Sequence, residues 1–223
     1  MYRLLFIVLN VFGLDVSRRI IINTVPVAAT PGVHIIPING TATEAVGRAV
    51  KKLDTSESNN LRSIYFYGDV TVETCAMLTR TLCDIDQTEE PIHLHIQSFG
   101  GELLPTFNVI DTIERLKSPV YSYVEGYAAS AATLISVCCD KRYMGQRSLM
   151  LIHQLSGTSE GTYGFMKQEM DNMNIYMDFA KQIYLSHSKL NNESLSNILL
   201  FDNKWLNSSM CLEYGLVDEI LGR

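Results

Sequence analysis

Three observations predict an α/β fold built on a largely parallel sheet. Strand-like runs alternate with helix-like runs from Ile64 onward. The helical stretches between strands supply the right-handed crossovers that parallel neighbours require. Hydrophobic residues make up 47% of the 223, enough for a sizeable core within the range of one large domain.

Residues 1–60 carry the weakest pattern. Leu4 to Leu14 is apolar after a single Arg3, as in a signal-peptide core. Asp15, Arg18 and Arg19 follow without a small-residue cleavage pattern, so the stretch is read as an organelle-targeting or poorly ordered leader. Pro26, Pro31, Pro37 and Gly40 break up any long element; Thr43 to Leu53 is read as a short helix and Ser56 to Asn60 as a polar loop.

The remaining elements follow in order. Ile64 to Tyr67 is a strand closed by Gly68-Asp69. Thr71 is a helix N-cap with Glu73 in the first turn, and Cys75, Leu78, Leu82 and Ile85 make one apolar stripe. Ile92 to Ile96 alternates as a strand. His93 and His95 share its face, but no third ligand lies nearby in sequence, so they are read as a partly buried strand face rather than a metal pair. Gly100-Gly101 opens a helix with Pro105 in its first turn, buried through Val109, Ile110, Ile113 and Leu116 and ended by Ser118-Pro119. This glycine pair fits neither the dinucleotide nor the P-loop pattern.

Val120 to Glu125 is a strand and Ala131 to Val137 a buried helix, so Ser130 sits where strand turns into helix. Free N–H groups at such a helix start favour developing negative charge. Two short strands follow, Arg142 to Met144 and Leu149 to Ile152, then a glycine-rich loop from Leu155 to Gly164. A long helix from about Phe165 to His187 is apolar on more than one side, through residues such as Met166, Met170, Met173, Tyr176 and Phe179. It is expected to pack against a partner as well as the core, its methionines suiting an adaptable interface.

The net charge of −6 argues against a nucleic-acid or anionic-membrane surface. Five cysteines show no Cys-x-x-Cys spacing and are read as free, buried thiols in a reducing compartment, cytoplasm or organelle stroma or matrix. No apolar run approaches the length of a membrane span.

Three stretches carry chemistry together: Ile96-Gln97-Ser98-Phe99-Gly100-Gly101, Gly126-Tyr127-Ala128-Ala129-Ser130, and Met150-Leu151-Ile152-His153-Gln154. In this order and spacing they resemble the Clp protease proteolytic subunit (ClpP) family, with a Ser-Pro-Gly-Gly loop, a Gly-x-Ala-Ala-Ser turn and a Met-Ile-His-Gln strand. The resemblance runs from about Arg62 to the C-terminus, where Leu212 to Asp218 looks like the family's closing helix and strand. It divides the chain into a variable segment, 1–60, and a peptidase domain, 61–223. The implied fold is ClpP/crotonase-like, of repeated strand–strand–helix units, with a protruding handle helix at about 155–190.

The resemblance also implies a serine endopeptidase that hydrolyses unfolded polypeptides inside a closed chamber. It further implies heptameric rings stacked in pairs through the handle and an AAA+ unfoldase that supplies ATP-driven unfolding, with no cofactor or metal expected on this chain. Ser130 is the implied nucleophile and His153 the base. The N–H groups of Gly101 and Ala131 would form the oxyanion hole, Gly101 lacking a Cβ to block the scissile carbonyl. Gly100, Glu102 and Leu103 would line the substrate backbone.

Two positions depart from the pattern. Asn203 stands where the family has its triad aspartate, counted from Trp205-Leu206, with Asp202 one residue earlier as the alternative. Phe99 replaces the usual proline. Asparagine can orient a histidine but cannot stabilise imidazolium by charge, a loss of about 10⁴ in turnover in a chymotrypsin-type triad. A weakly active or inactive structural ring subunit therefore stays open beside the peptidase. A crotonase-type acyl-CoA enzyme shares the fold but has no need of the serine and histidine.

Overall fold

In a computed structural model, the chain is described over residues 33–36, 62–201 and 203–222. The expected leader from Leu4 and the helix from Thr43 lie outside these residues, as does Asp202.

An eight-stranded sheet organises the chain in the order β1-β2-β3-β4-β5-β8, with β6 and β7 branching from β4. β1 (Val33–Ile36) comes from the segment before residue 61 and pairs parallel with β2 (Ser63–Tyr67). β3 (Ile92–Ser98) and β4 (Val120–Ala129) continue the parallel array. The crossovers are α1 (Val72–Ile85) and α2 (Leu103–Ile113). As expected, α1 starts at Thr71, whose side chain accepts from Thr74 N–H while Thr74 Oγ1 accepts from Thr71 N–H.

Period-two alternation decides which face is which. Ile92, Leu94, Ile96 and Ser98 of β3 point to the helices and are buried. They meet Leu78 and Leu82 of α1, Val109 of α2 and Ile135 of α3 (Ala131–Val137) in one core. Each such leucine or isoleucine stabilises the fold by about 1.5–3 kcal/mol.

The opposite sheet face is aromatic. Tyr65, His95, Tyr123 and Tyr143 stack across four strands at centroid spacings of 4.5, 4.8 and 4.8 Å. His93 Nδ1 lies 2.8 Å from Tyr123 Oη, and His95 Nδ1 2.8 Å from Glu125 Oε1. These histidines form a partly buried strand face, as read. The His95 hydrogen bond, outweighing burial, holds the Glu125 carboxyl below the usual carboxylate range, and the Tyr67 hydroxyl donates to the same group.

β4 is longer than expected and carries two partners along one edge. β5 (Lys141–Gly145) pairs with Tyr121–Val124, and β6 (Leu149–Leu151) with Tyr127–Ala129, both parallel. The sheet thus divides. One branch continues from β5 to β8 (Glu219–Leu221); the other runs from β6 to β7 (Trp205–Asn207), an antiparallel pairing.

The long helix α4 spans Tyr163–His187, and only Ala180 and Tyr184 of it are buried. Phe165, Met166, Met170, Ile175 and Phe179 are exposed. Two further helices complete the domain, α5 (Asn192–Leu199) and α6 (Ser208–Glu213). One cysteine corrects the expectation: Cys83 is exposed on the outer side of α1, while the other four are buried and all five are free. No helix among the described residues is long and apolar enough to cross a membrane.

Candidate active site

At the upper end of β4 the glycine pair, Ser130 and the end of β6 come together. Ser130 follows β4 directly and caps α3, with φ 53 and ψ −128. It is the one non-glycine residue with positive φ among the described residues. This conformation costs on the order of 1–3 kcal/mol and persists only where surroundings over-determine it. They do so here. Ser130 N–H donates to Leu151 O at 2.8 Å, extending the β4–β6 ladder. Its carbonyl accepts from Thr133 N–H at 2.9 Å and from Thr133 Oγ1 at 2.6 Å. A sharp strand-to-helix turn of this kind lifts a serine hydroxyl clear of the backbone.

The glycine pair packs beside that turn. A Cβ on Gly100 would lie 2.5 Å from Ala129 O, 2.7 Å from Ser130 Cβ and 3.0 Å from Ala131 N. Only a bare backbone fits there, so Gly100 brings its strand end against the serine. Gly101 corrects the expectation: its Cβ would strike Val70 O at 2.1 Å, so its immediate reason for being glycine is packing against Val70. Val70 N–H donates to Gly100 O at 2.9 Å and Val70 O accepts from Glu102 N–H at 2.8 Å. In this parallel bridge Val70 uses the groups of residues 100 and 102, which turns the N–H of Gly101 to the opposite side. Ala131 opens α3, and a first-turn N–H has no acceptor within its own helix. Both predicted oxyanion donors thus belong to backbone held from behind.

Glu102 and Leu103 serve the scaffold as well. Glu102 caps α2, and its carboxylate accepts from Val72 N–H at 3.4 Å. Leu103 is the first residue of α2 and packs against the core. Phe99, in the proline position, is exposed and stacks on Tyr127 at 4.2 Å.

His153 is half-buried, two residues past β6. The chain beyond it is pinned by Gln154 Nε2 donating to Leu199 O at 2.7 Å. Because Ala129 pairs with Leu151, the chain leaves β6 toward His153 beside Ser130. Leu151 also faces Trp205 across β6–β7, the last pair of that antiparallel ladder. Asn203 itself is an exposed turn residue.

Two positioning residues escaped sequence reasoning. Val70 clamps the glycine loop through a long-range bridge with no local signal. Thr133 holds the Ser130 carbonyl and reaches Tyr184 Oη of α4 at 2.5 Å. It lies three residues after Ser130, but nothing in the spacing marks its second contact.

A sequence model of the family described as Clp protease matches residues 48–223. The chain belongs to the Clp protease family. It is 28% identical over 174 residues to the ATP-dependent Clp protease proteolytic subunit 2 of Treponema pallidum, covering 72% of this chain and 82% of that one. The ATP-dependent Clp protease proteolytic subunit of Lactococcus lactis is 31% identical over 147 residues, 62% of this chain and 71% of its own. An asparagine-to-aspartate mutant of ClpP1 from Listeria monocytogenes superposes with a TM-score of 0.65 at 22% identity, covering 79% of this chain and 96% of that one. That likeness concerns the fold, and it agrees with the expected ClpP-like architecture. As a Clp protease family member, the chain is a proteolytic subunit of the serine-peptidase class.

Proposed function

We propose that Ser130, His153 and the backbone at Gly101 and Ala131 hydrolyse peptide bonds of unfolded polypeptides. The observation that carries this is the strained Ser130 turn packed against Gly100. His153 takes the Ser130 hydroxyl proton as Oγ attacks the scissile carbonyl carbon. The resulting oxyanion is stabilised by the N–H groups of Gly101 and Ala131. The tetrahedral species collapses to an acyl-serine; His153 passes its proton to the leaving amine. Water, deprotonated by His153, then releases the carboxylate product and restores Ser130. Gly100, Glu102 and Leu103 form the wall along which the substrate backbone lies.

The third member is Asn203, counted from Trp205-Leu206, with Asp202 as the alternative. The peptidase domain runs over 61–223, with β1 added from the segment before it. Heptameric rings stack through α4, whose exposed Met170, Ile175 and Phe179 suit a partner surface. An AAA+ unfoldase consumes ATP and delivers substrate in cytoplasm or an organelle interior, while this chain needs no cofactor for the chemistry. Glutamate at Met170 or Phe179 separates stacked rings, read as a halved mass by light scattering.

A fluorophosphonate probe tests the chemistry. Labelling of assembled protein that disappears in Ser130→Ala supports the peptidase. Asn203 favours a second reading, a structural ring subunit of low activity; assembled protein that takes up no probe establishes that reading instead.

A further inference from the structure

Helix α3 runs from its N-cap Ser130 to its C-cap Cys138, and a second cluster gathers at this far end. Three helices finish together there: α2 is capped by Glu114, α3 by Cys138, and α4 ends on His187. Helix C-termini carry partial negative charge from unpaired carbonyls, so the space between them favours a cation.

The side chains match that field. A Glu114 carboxylate oxygen, Cys138 Sγ and a His187 ring nitrogen all lie within 4.8 Å of one another. His187 Nε2 is 3.5 Å from Glu114 Oε1. A charge-assisted hydrogen bond spans about 2.7–2.9 Å. The edge of a tetrahedral site with ligands at about 2.0–2.1 Å is roughly 3.4 Å, so the pair stands nearer a shared ion than a direct bond.

The cluster opens on a cavity of about 770 Å³ also lined by Ser118, Lys189 and Asp218. The side chains of His187 and Glu114 are 31% and 48% exposed, an entry path, while Cys138 closes the floor. The frame is held independently of the cluster. Arg142 donates to the His187 carbonyl and to both carboxylate oxygens of Asp218, at 3.0 and 2.6 Å, so its charge is already matched.

We propose that Glu114, Cys138 and His187 bind one divalent transition-metal ion, zinc by preference. Mixed sulfur, nitrogen and oxygen donors suit this borderline ion, and three protein ligands leave a fourth position facing the cavity. Until a cation arrives, burial and then Glu114 push the Cys138 thiol up to about 12, so it carries its proton. Binding releases that proton to solvent, and thiolate plus carboxylate then neutralise the divalent charge. The ion ties the end of α4 to the end of α3, and α3 leads directly to Ser130. This departs from the expectation of a metal-free chain and does not rest on the peptidase reading.

The test is a titration of reduced, metal-stripped, full-length protein with Co²⁺ alone. A near-ultraviolet thiolate-to-cobalt band that saturates at one ion per chain and is abolished by Zn²⁺ is the expected result. Cys138→Ser removes the band and Cys83→Ser retains it. Glu114→Gln, at a half-exposed position that tolerates the change, weakens Zn²⁺ binding on the order of tenfold or more, and His187→Gln does the same. No band, a band that survives Cys138→Ser, or Zn²⁺ affinity unchanged in Glu114→Gln overturns the proposal. The Glu114 arm decides even where the Cys138 variant fails to fold.

Discussion

The two ends of α3 hold their chemistry in different ways. Ser130, at the start, adopts a φ/ψ pair of 53 and −128; Cys138, at the finish, adopts −82 and −5, ordinary helical values. At the first end the candidate site is built into backbone: a strained turn, a glycine without room for a Cβ, and a serine N–H held by a strand ladder. At the second end the proposed site is built into side chains presented by unstrained helix termini. A backbone site needs surroundings that over-determine it, so it tolerates almost no change in packing. A side-chain site needs only convergent termini, and it tolerates more.

The largest expected effect breaks the first end. Ser130→Ala lowers peptide hydrolysis by about 10³-fold or more while thermal unfolding shifts little, because only a hydroxyl is lost. Turnover that persists in this variant removes the serine from the mechanism.

Next comes Gly100→Ala. Its Cβ would meet Ala129 O at 2.5 Å, so Ser130 must shift, and a displacement near 1 Å costs about 10²-fold in turnover. Gly164→Ala, where nothing lies within 4 Å, is the matched control and leaves turnover unchanged. Equal behaviour of the two in a peptide-hydrolysis assay would show that the serine turn does not depend on the glycine.

Asn203→Asp sharpens the same end through the imidazole. If residue 203 orients His153, a carboxylate there stabilises the protonated ring and raises turnover by about tenfold or more. Asp202→Ala then matters little. The reverse pattern, damage from Asp202→Ala with no gain from Asn203→Asp, assigns the orienting role to Asp202.

The smallest effect probes the link from the serine to α4. Thr133→Val leaves the buried Tyr184 hydroxyl without its Thr133 partner and frees one bond to the Ser130 carbonyl. Such a loss costs about 1–3 kcal/mol. Denaturant unfolding should show it, with a lesser fall in turnover. An unchanged midpoint would mean that the strand ladder alone holds the turn.

Much of this was legible because its signals are local. Thr71 announced α1 by its capping chemistry, the alternation of Ile92 to Ile96 announced β3, and three short motifs in order announced the family. Other features gave no such signal. β4 runs to Ala129 although Gly126 breaks its alternation, since β6 lends ladder partners to its upper half. The elements expected from the sequence include neither α5, although Asn191 caps it and Leu195, Ile198 and Leu199 share its buried face, nor the three-residue β7; both are short elements. From the sequence Gly101 has a substrate-facing reason to be glycine, whereas Val70, distant in sequence, supplies the contact that excludes a Cβ.

By itself the sequence determined the element types, the alternation that makes the sheet largely parallel, the family, and Ser130 and His153 as the candidates for its chemistry. Those depend on side-chain period, capping and short motifs, which neighbours along the chain decide. Tertiary structure alone decided the strained Ser130 backbone, the Val70 clamp and the meeting of Glu114, Cys138 and His187. Each of these is a contact between elements far apart in sequence. Such contacts arise only when helices cross the sheet at particular places, and no local pattern encodes where the ends of three helices will converge.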